Sequence, residues 1–140
     1  MQKEKTPIYR AGIIPYMYIN EELKMLFMLP SEAKYGGDKF QIAKGKIDGN
    51  EKPLEAALRE GSEELGLFEG NIKSTRSMGS PMLGRTYFYV VEIKNKDMFG
   101  DPHFETKDTR WMSEKEFMDE GRDLHKPIIK AAVRMIEAIK

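Results

Sequence analysis

Residues 45–67 read GKIDGNEKPLEAALREGSEELGL, and the rest of the chain takes its meaning from this stretch. Pro53 suits the first turn of a helix, where its missing N–H costs nothing. Gly66 suits the position just past a helix end. Between them Leu54, Ala57, Leu58, Gly61 and Leu65 recur at helical spacing, so a helix over about 53–65 with one buried stripe is predicted. Glu60, Glu63 and Glu64 stand at i, i+3 and i+4, which puts their carboxylates on neighbouring faces. Crowded like charges cost stability unless something compensates. A hard cation with oxygen ligands is the natural compensation, and Mg²⁺ held by carboxylates and substrate phosphates is a common form of it. Alone, such a cluster reads as a solvated acidic face.

The flanking residues change that reading. Gly45, Glu51, Arg59, Glu60, Glu63, Glu64 and Gly66 fall at the spacing G-x5-E-x7-R-E-x-x-E-E-x-G, which resembles the signature box of the Nudix hydrolases. The resemblance implies an α/β chain built as an alpha/beta/alpha sandwich, with a mixed β-sheet packed between helices. It also implies cleavage of nucleoside diphosphate-linked compounds, with Mg²⁺ as the cofactor and Mn²⁺ as the alternative. Carried over residue by residue, Glu60, Glu63 and Glu64 become the candidates for metal ligation and water activation. Backbone near Lys44 and Gly45 adds a further ligand, Arg59 orients Glu63, and Glu51 braces the loop. Two positions depart from the pattern. Gly61 stands where an aliphatic or small residue is usual, and mid-helix glycine costs about 1 kcal/mol relative to alanine. Phe40 and Ala43 stand where many members have tryptophan and proline.

Composition bounds the class. The 140 residues suit one domain with a real core, and residues 1–140 are read as a single unit. Lys plus Arg (23) balances Asp plus Glu (23), so no global field draws in nucleic acid or an anionic membrane. Phosphate binding must therefore come from a local patch. Without cysteine, thiolate nucleophiles, disulfides and Cys-ligated zinc are excluded. The opening MQKEKTPIYR lacks an apolar core of signal-peptide type, and no apolar run approaches membrane-spanning length. A cytoplasmic enzyme acting on a nucleotide-like small molecule is expected, with no membrane or nucleic-acid partner. A homodimer is compatible with the sequence.

The flanks supply the sheet. Ile8–Ile19 and Leu23–Leu29 read as a hairpin about Asn20-Glu21-Glu22. Ser31–Lys39 reads as a loop, Phe40–Ala43 as a short strand and Lys44–Lys52 as the loop before the helix. Strands are expected over Asn71–Met78, Arg85–Lys94 and Thr109–Met112, with a loop over Asn95–His103. Alternating apolar residues suggest that the strand containing Tyr87 is covered on both faces. Ser113 and Glu116 form a capping box before a short helix. A last helix spans about Pro127–Ile139, with Ile128, Ile129, Ala132, Val133, Ile136 and Ile139 as its stripe.

Further site residues are proposed outside the box. Lys44 and Lys46 flank the first glycine and could hold phosphates as point charges, with Arg10 and Arg85 adding to the patch. The segment Glu105-Thr-Lys-Asp-Thr-Arg-Trp111 resembles that of asymmetrical diadenosine tetraphosphate hydrolases, where a glutamate lies six residues before a tryptophan. That resemblance implies Glu105 as the candidate distal metal ligand or base, with Asp101 and Asp108 as alternatives. Tyr87 is the first choice to stack a nucleobase, ahead of Tyr35, Phe40 and Phe104. His103 and His125 each lie alone and read as structural or surface residues. Dinucleoside polyphosphates such as diadenosine tri- or tetraphosphate are the first substrate class, and ADP-ribose, FAD or NADH the second. A non-catalytic nucleotide-sensing module and a structural metal-binding domain are the readings from other classes.

Overall fold

A computed structural model describes residues 7–140; the first six residues, part of the opening read above, lie outside it. The strands are β1 (Arg10–Ile19), β2 (Glu22–Pro30), β3 (Ala43–Lys46), β4 (Ile72–Ser77), β5 (Thr86–Ile93) and β6 (Thr106–Met112). The helices are α1 (Pro53–Leu65), α2 (Glu114–Glu120) and α3 (Lys126–Ala138), with three short 3-10 turns between elements. One sheet runs β4-β5-β1-β2-β6, with β3 paired to β1. β1 and β5 are parallel and the other pairs antiparallel, so the sheet is mixed, as expected. Among the described residues no helix is long and apolar enough to cross a membrane.

Strand alternation sorts the core into two layers. Ala11 and Ile13 lie on the α1 side with Leu26, Met28, Ala43 and Val91, against Ala56, Ala57 and Leu65 of the helix. Ile14 and Tyr16 face the other way, onto Phe27, Phe88, Val90, Phe117 and the α3 stripe. Each fully buried Val, Leu, Ile, Met or Phe side chain among them contributes about 1.5–3 kcal/mol. Phe27 and Phe117 pack ring to ring at 4.3 Å and so lock α2 onto the sheet. The hairpin turn uses Asn20 (φ 52) and Glu21 (φ 68), the paired left-handed conformation that suits a two-residue connection.

Three boundaries differ from the sequence reading. The strand expected over Phe40–Ala43 lies further on, at Ala43–Lys46, because Arg10–Ile13 of β1 pairs with it through Gly45 and Lys46. Phe40 and Gln41 make only isolated bridges, to Gly121 and Met28. β6 begins at Thr106, since β2 extends its pairing as far as Pro30. β1 begins at Arg10 rather than Ile8.

The capping box of α2 forms as read: Glu116 N–H donates to Ser113 Oγ at 3.1 Å, and Ser113 N–H donates to Glu116 Oε1 at 2.9 Å. Lys24 Nζ lies 2.7 Å from the same carboxylate. Lys24 and then the Ser113 amide hold Glu116 down to about 2, from an ordinary value of 4.5. A carboxyl depressed on folding stabilises the protein above its ordinary value, and this is lost as pH falls from 4.5 toward 2. Because the side chain is 42% exposed, solvent screens much of the effect. Glu116→Gln is expected to cost about 1 kcal/mol at pH 7 and to flatten the acid limb of stability between pH 4.5 and 2. Urea denaturation across that range reads both.

Candidate active site

α1 begins where Lys52 N–H donates to Glu55 Oε1 at 2.9 Å, with Pro53 in the first turn. It ends at Gly66 in the left-handed conformation (φ 72). At Gly66 a side chain would also strike the backbone of Gly100, whose N–H donates to Gly66 O at 2.8 Å. Two further bonds tie the distal loop to the same helix end. His103 N–H donates to Glu63 O at 2.7 Å, and Thr106 Oγ1 donates to Glu64 O at 2.9 Å. These ties bring Glu105 to Glu63 and Glu64, and together with His103 and Phe104 they line a cleft of about 200 Å³. A larger hollow of about 400 Å³ beside Met17, Tyr18, Lys73 and Glu92 has no comparable acid cluster. Chemistry rather than size therefore picks out the cleft.

Arg59 organises the box. Its Nε and Nη2 grip the two oxygens of Glu51 at 2.8 and 3.1 Å, and Nη2 also donates to Lys46 O at 2.9 Å. Asp48 N–H donates to Glu51 Oε1 at 2.8 Å. Loop and helix are thus pinned through one guanidinium. Glu51 is held below the ordinary carboxylate range by Arg59 first and the Asp48 amide second. Arg59 Nη1 reaches Glu60 Oε1 at 2.8 Å and Glu63 Oε2 at 3.4 Å. The tighter bond goes to Glu60, whereas the sequence reading gave Arg59 to Glu63.

Glu60 and Glu64 are both buried, and Glu64 has no ion-pair partner among the described residues. Burial, and then contact with the Glu60 carboxyl, raises Glu64 far above the ordinary carboxylate range; Glu105 adds to the rise and a hydrogen bond with Lys44 backbone opposes it. Gly45 lies so close that a Cβ there would run into the Glu60 carboxyl. Among the described residues no three acid or histidine side chains form a ready-made ion cage, since Arg59 draws on Glu60 and Glu63. Two buried, mutually repelling carboxylates against the Lys44–Gly45 backbone are nevertheless a hard-oxygen donor set. That set fits a divalent cation, which would relieve the repulsion.

Lys44 and Lys46 leave β3 on the face opposite Gly45. Lys44 packs toward Gly12 and Phe88, and Arg10 stands directly across from Lys46. Burial, then Arg122 and Arg10, lowers the Lys44 ammonium; Glu64 and Glu60 oppose this less strongly. The β3 edge therefore separates acids on one side from cations on the other. Arg85 is exposed, in a left-handed turn (φ 70) whose carbonyl accepts from Arg10 N–H at 3.0 Å.

Tyr87 is half-buried and stacks on Tyr9, with centroids 5.9 Å apart, and does not line the acid cleft. Phe104 does line it, and Tyr35 meets Phe104 edge-on at 6.1 Å. Asp101 and Asp108 are exposed and lie outside the cleft lining. Trp111 packs edge-on against Phe99 at 5.9 Å. His125 is buried, and its Nδ1 accepts from Ile42 N–H at 3.1 Å. Burial, then Arg122 and Lys44, lowers it to about 3 and keeps it neutral. The sequence reading missed Arg122, which lies far along the chain from Lys44 in a segment with no periodic or motif signal. Gly61 is buried; a Cβ there would sit 3.0 Å from Ile13 Cγ2 and Leu67 Cδ2. Both are side-chain ends that can shift slightly, and alanine regains about 1 kcal/mol of helix propensity. Gly61→Ala is therefore expected to stay within about 1 kcal/mol of the parent in stability and to keep its activity. Loss of turnover in a folded Gly61→Ala protein would contradict this.

Residues 10–132 match the family model described as NUDIX domain. No curated protein sequence matches the chain. Similar solved structures include the Ap4A hydrolase of C. elegans in a binary complex, 15% identical with TM-score 0.75, covering 94% of this chain and 98% of that one. The NUDIX domain of Shewanella oneidensis NrtR, complexed with ADP ribose, is 13% identical with TM-score 0.72, covering 95% and 90%. The Nudix hydrolase RenU of M. smegmatis is 17% identical with TM-score 0.69, covering 91% and 86%. At such identities the likeness shows the fold.

Proposed function

The chain belongs to the Nudix family of hydrolases, which act on pyrophosphate bonds and use divalent metal ions, and on that premise we propose that it is a Mg²⁺-dependent hydrolase of dinucleoside polyphosphates. The observation that carries this reading is the buried Glu60–Glu64 pair, set against the Gly45 backbone with cations on the other side of the β3 edge. Such a site receives a cation and a phosphate chain together. A divalent ion bound there would neutralise phosphate charge and lower the pKa of water.

The chain's own residues supply the rest. Glu60 and Glu64 would hold the ion, with Lys44–Gly45 backbone beside them. Arg59 fixes Glu60 and, through Glu51 and the Lys46 carbonyl, the loop that follows β3. Lys44, Lys46 and Arg10 bind phosphate oxygens as point charges. Water adds to a phosphorus of the linkage, the bridging P–O bond breaks, and the water proton passes to a carboxylate. Glu105, half-buried beside Glu63 and Glu64, is the candidate for that role, and Glu63 the alternative. The spacing from Glu105 to Trp111 and the fold shared with an Ap4A hydrolase favour dinucleoside polyphosphates. Phe104 and Tyr35 are better placed than Tyr87 to meet a base at the cleft mouth. Residues 1–140 act as one catalytic unit, and the lack of cysteine suits a reducing cytoplasm.

Chromatography of a substrate panel tests the reading. Diadenosine tri- and tetraphosphate, ADP-ribose, NADH, FAD and nucleoside triphosphates are incubated with Mg²⁺. The highest kcat/KM is expected for a dinucleoside polyphosphate. A preference for ADP-ribose would move the substrate class to the sugar and cofactor linkages.

A further inference from the structure

We propose that Arg122 binds a phosphate of the substrate beyond the scissile linkage, so that the enzyme favours longer polyphosphate chains. This rests on the reading above for the identity of the substrate, while the binding of a phosphate chain stands on the geometry alone.

The segment that carries Arg122 is fastened to the residues leading into β3. Arg122 N–H donates to Phe40 O at 2.8 Å, Gly121 bridges Phe40, and Ile42 N–H donates to buried His125 at 3.1 Å. A residue far along the chain is thereby fixed beside Gln41, Ile42 and Lys44. Its guanidinium makes one long side-chain hydrogen bond, from Nη1 to Gln41 Oε1 at 3.4 Å. Among the described residues no carboxylate pairs with Arg122, Lys44, Lys46 or Arg10, although the chain has as many acids as bases.

The cations are also close to one another. Arg10 and Lys46 are directly opposed on neighbouring strands, a like-charge placement that destabilises a sheet. Lys44 leaves β3 on the face that packs toward Gly12 and Phe88, opposite the face where Gly45 meets Glu60, so its side chain belongs to the cationic strip rather than the acid cleft. A protein that holds unpaired cations together against their repulsion has built an anion site, and arginine's planar fork matches phosphate oxygens. Arg122 is fastened at Phe40, five residues before Gly45, which meets Glu60, so the order Glu60, Lys44, Arg122 leads away from the metal-binding acids. A phosphate at Arg122 therefore belongs to a chain longer than a simple diphosphate. Gln41 also links Arg122 to the loop over residues 31–39, because its Nε2 donates to Tyr35 O at 3.4 Å. Phosphate binding at Arg122 can thus sense the loop that carries Tyr35.

The test is calorimetric titration of the full chain with inorganic tripolyphosphate and with orthophosphate, with and without Mg²⁺. Parent, Arg122→Gln and Arg122→Lys proteins are compared, with thermal melting as the check on folding. Arg122→Gln is expected to weaken tripolyphosphate binding about tenfold, to change orthophosphate binding less than about threefold, and to melt near the parent temperature. Arg122→Lys should recover part of the affinity, which a purely structural arginine would not allow. In kinetics with diadenosine tetraphosphate, KM should rise more than kcat falls. Tripolyphosphate affinity unchanged in Arg122→Gln, or equal losses for both anions, would overturn the proposal. So would a parent protein that does not bind tripolyphosphate at all. If the parent cleaves no compound yet binds tripolyphosphate through Arg122, the hydrolase reading falls and the phosphate site stands.

Discussion

Glu64→Gln is expected to lower metal-dependent turnover roughly 100-fold or more while making the metal-free protein more stable. The two effects share one cause. Glu64 is buried against the Glu60 carboxyl, and both burial and that neighbour oppose its charge. An amide of the same shape is neutral without having to take up a proton on folding, and stabilisation on the order of 1 kcal/mol is expected. It also removes the carboxylate that a bound cation would draw out by displacing the proton. The pH dependence follows from the same shift. A carboxyl raised on folding gives up its proton in the unfolded chain near 4.5 but keeps it when folded. Its contribution is therefore complete below 4.5 and declines as pH rises. Between about pH 5 and 8 the metal-free parent should lose stability relative to Glu64→Gln. Added Mg²⁺ should restore the parent and leave the variant unmoved, because only the native parent binds it. Urea denaturation with and without Mg²⁺ measures this, and near-normal turnover of Glu64→Gln at saturating Mg²⁺ would overturn the ligand assignment.

The second large effect is expected at Gly45. A side chain there would occupy the position of the Glu60 carboxyl, so either Glu60 swings off Arg59 or β3 shifts away from α1. Both displace donor oxygens by an ångström or more, a misplacement that can cost about 100-fold in rate. Gly45→Ala is thus expected to fold, since no left-handed φ is recorded at this residue, and to lose about 100-fold of kcat. The contrast with Gly61→Ala is informative. Both glycines lie in the box, but one faces a charged group that must not move and the other faces flexible side-chain ends. Full activity in Gly45→Ala would mean that Glu60 has no fixed place in the chemistry.

The legibility of this chain in its sequence follows from how local each signal is. α1 was readable because Pro53, the apolar stripe and Gly66 act within one helix. The three glutamates were readable as a set because helical spacing alone brings them together. The two core layers follow from alternation along β1 and β5. The extent of β3 was not readable, because pairing with Arg10–Ile13 rather than local propensity carries the strand through Gly45. Arg59 bonding Glu60 more tightly than Glu63 depends on where the Glu51 loop folds back, which no spacing encodes. Arg122 and the ties from Gly100, His103 and Thr106 to the end of α1 join residues distant in sequence. Only the assembled sheet brings them together.

The most direct measurement is hydrolysis of diadenosine tetraphosphate in ¹⁸O-water, with and without Mg²⁺, followed by mass spectrometry of the separated products. Two nucleotide products are expected, formed only with the metal, with one ¹⁸O incorporated per bond broken and the labelled product naming the phosphorus attacked. Tight binding of the compound with no product at any divalent metal concentration would contradict a hydrolase and leave a protein that senses the nucleotide without cleaving it.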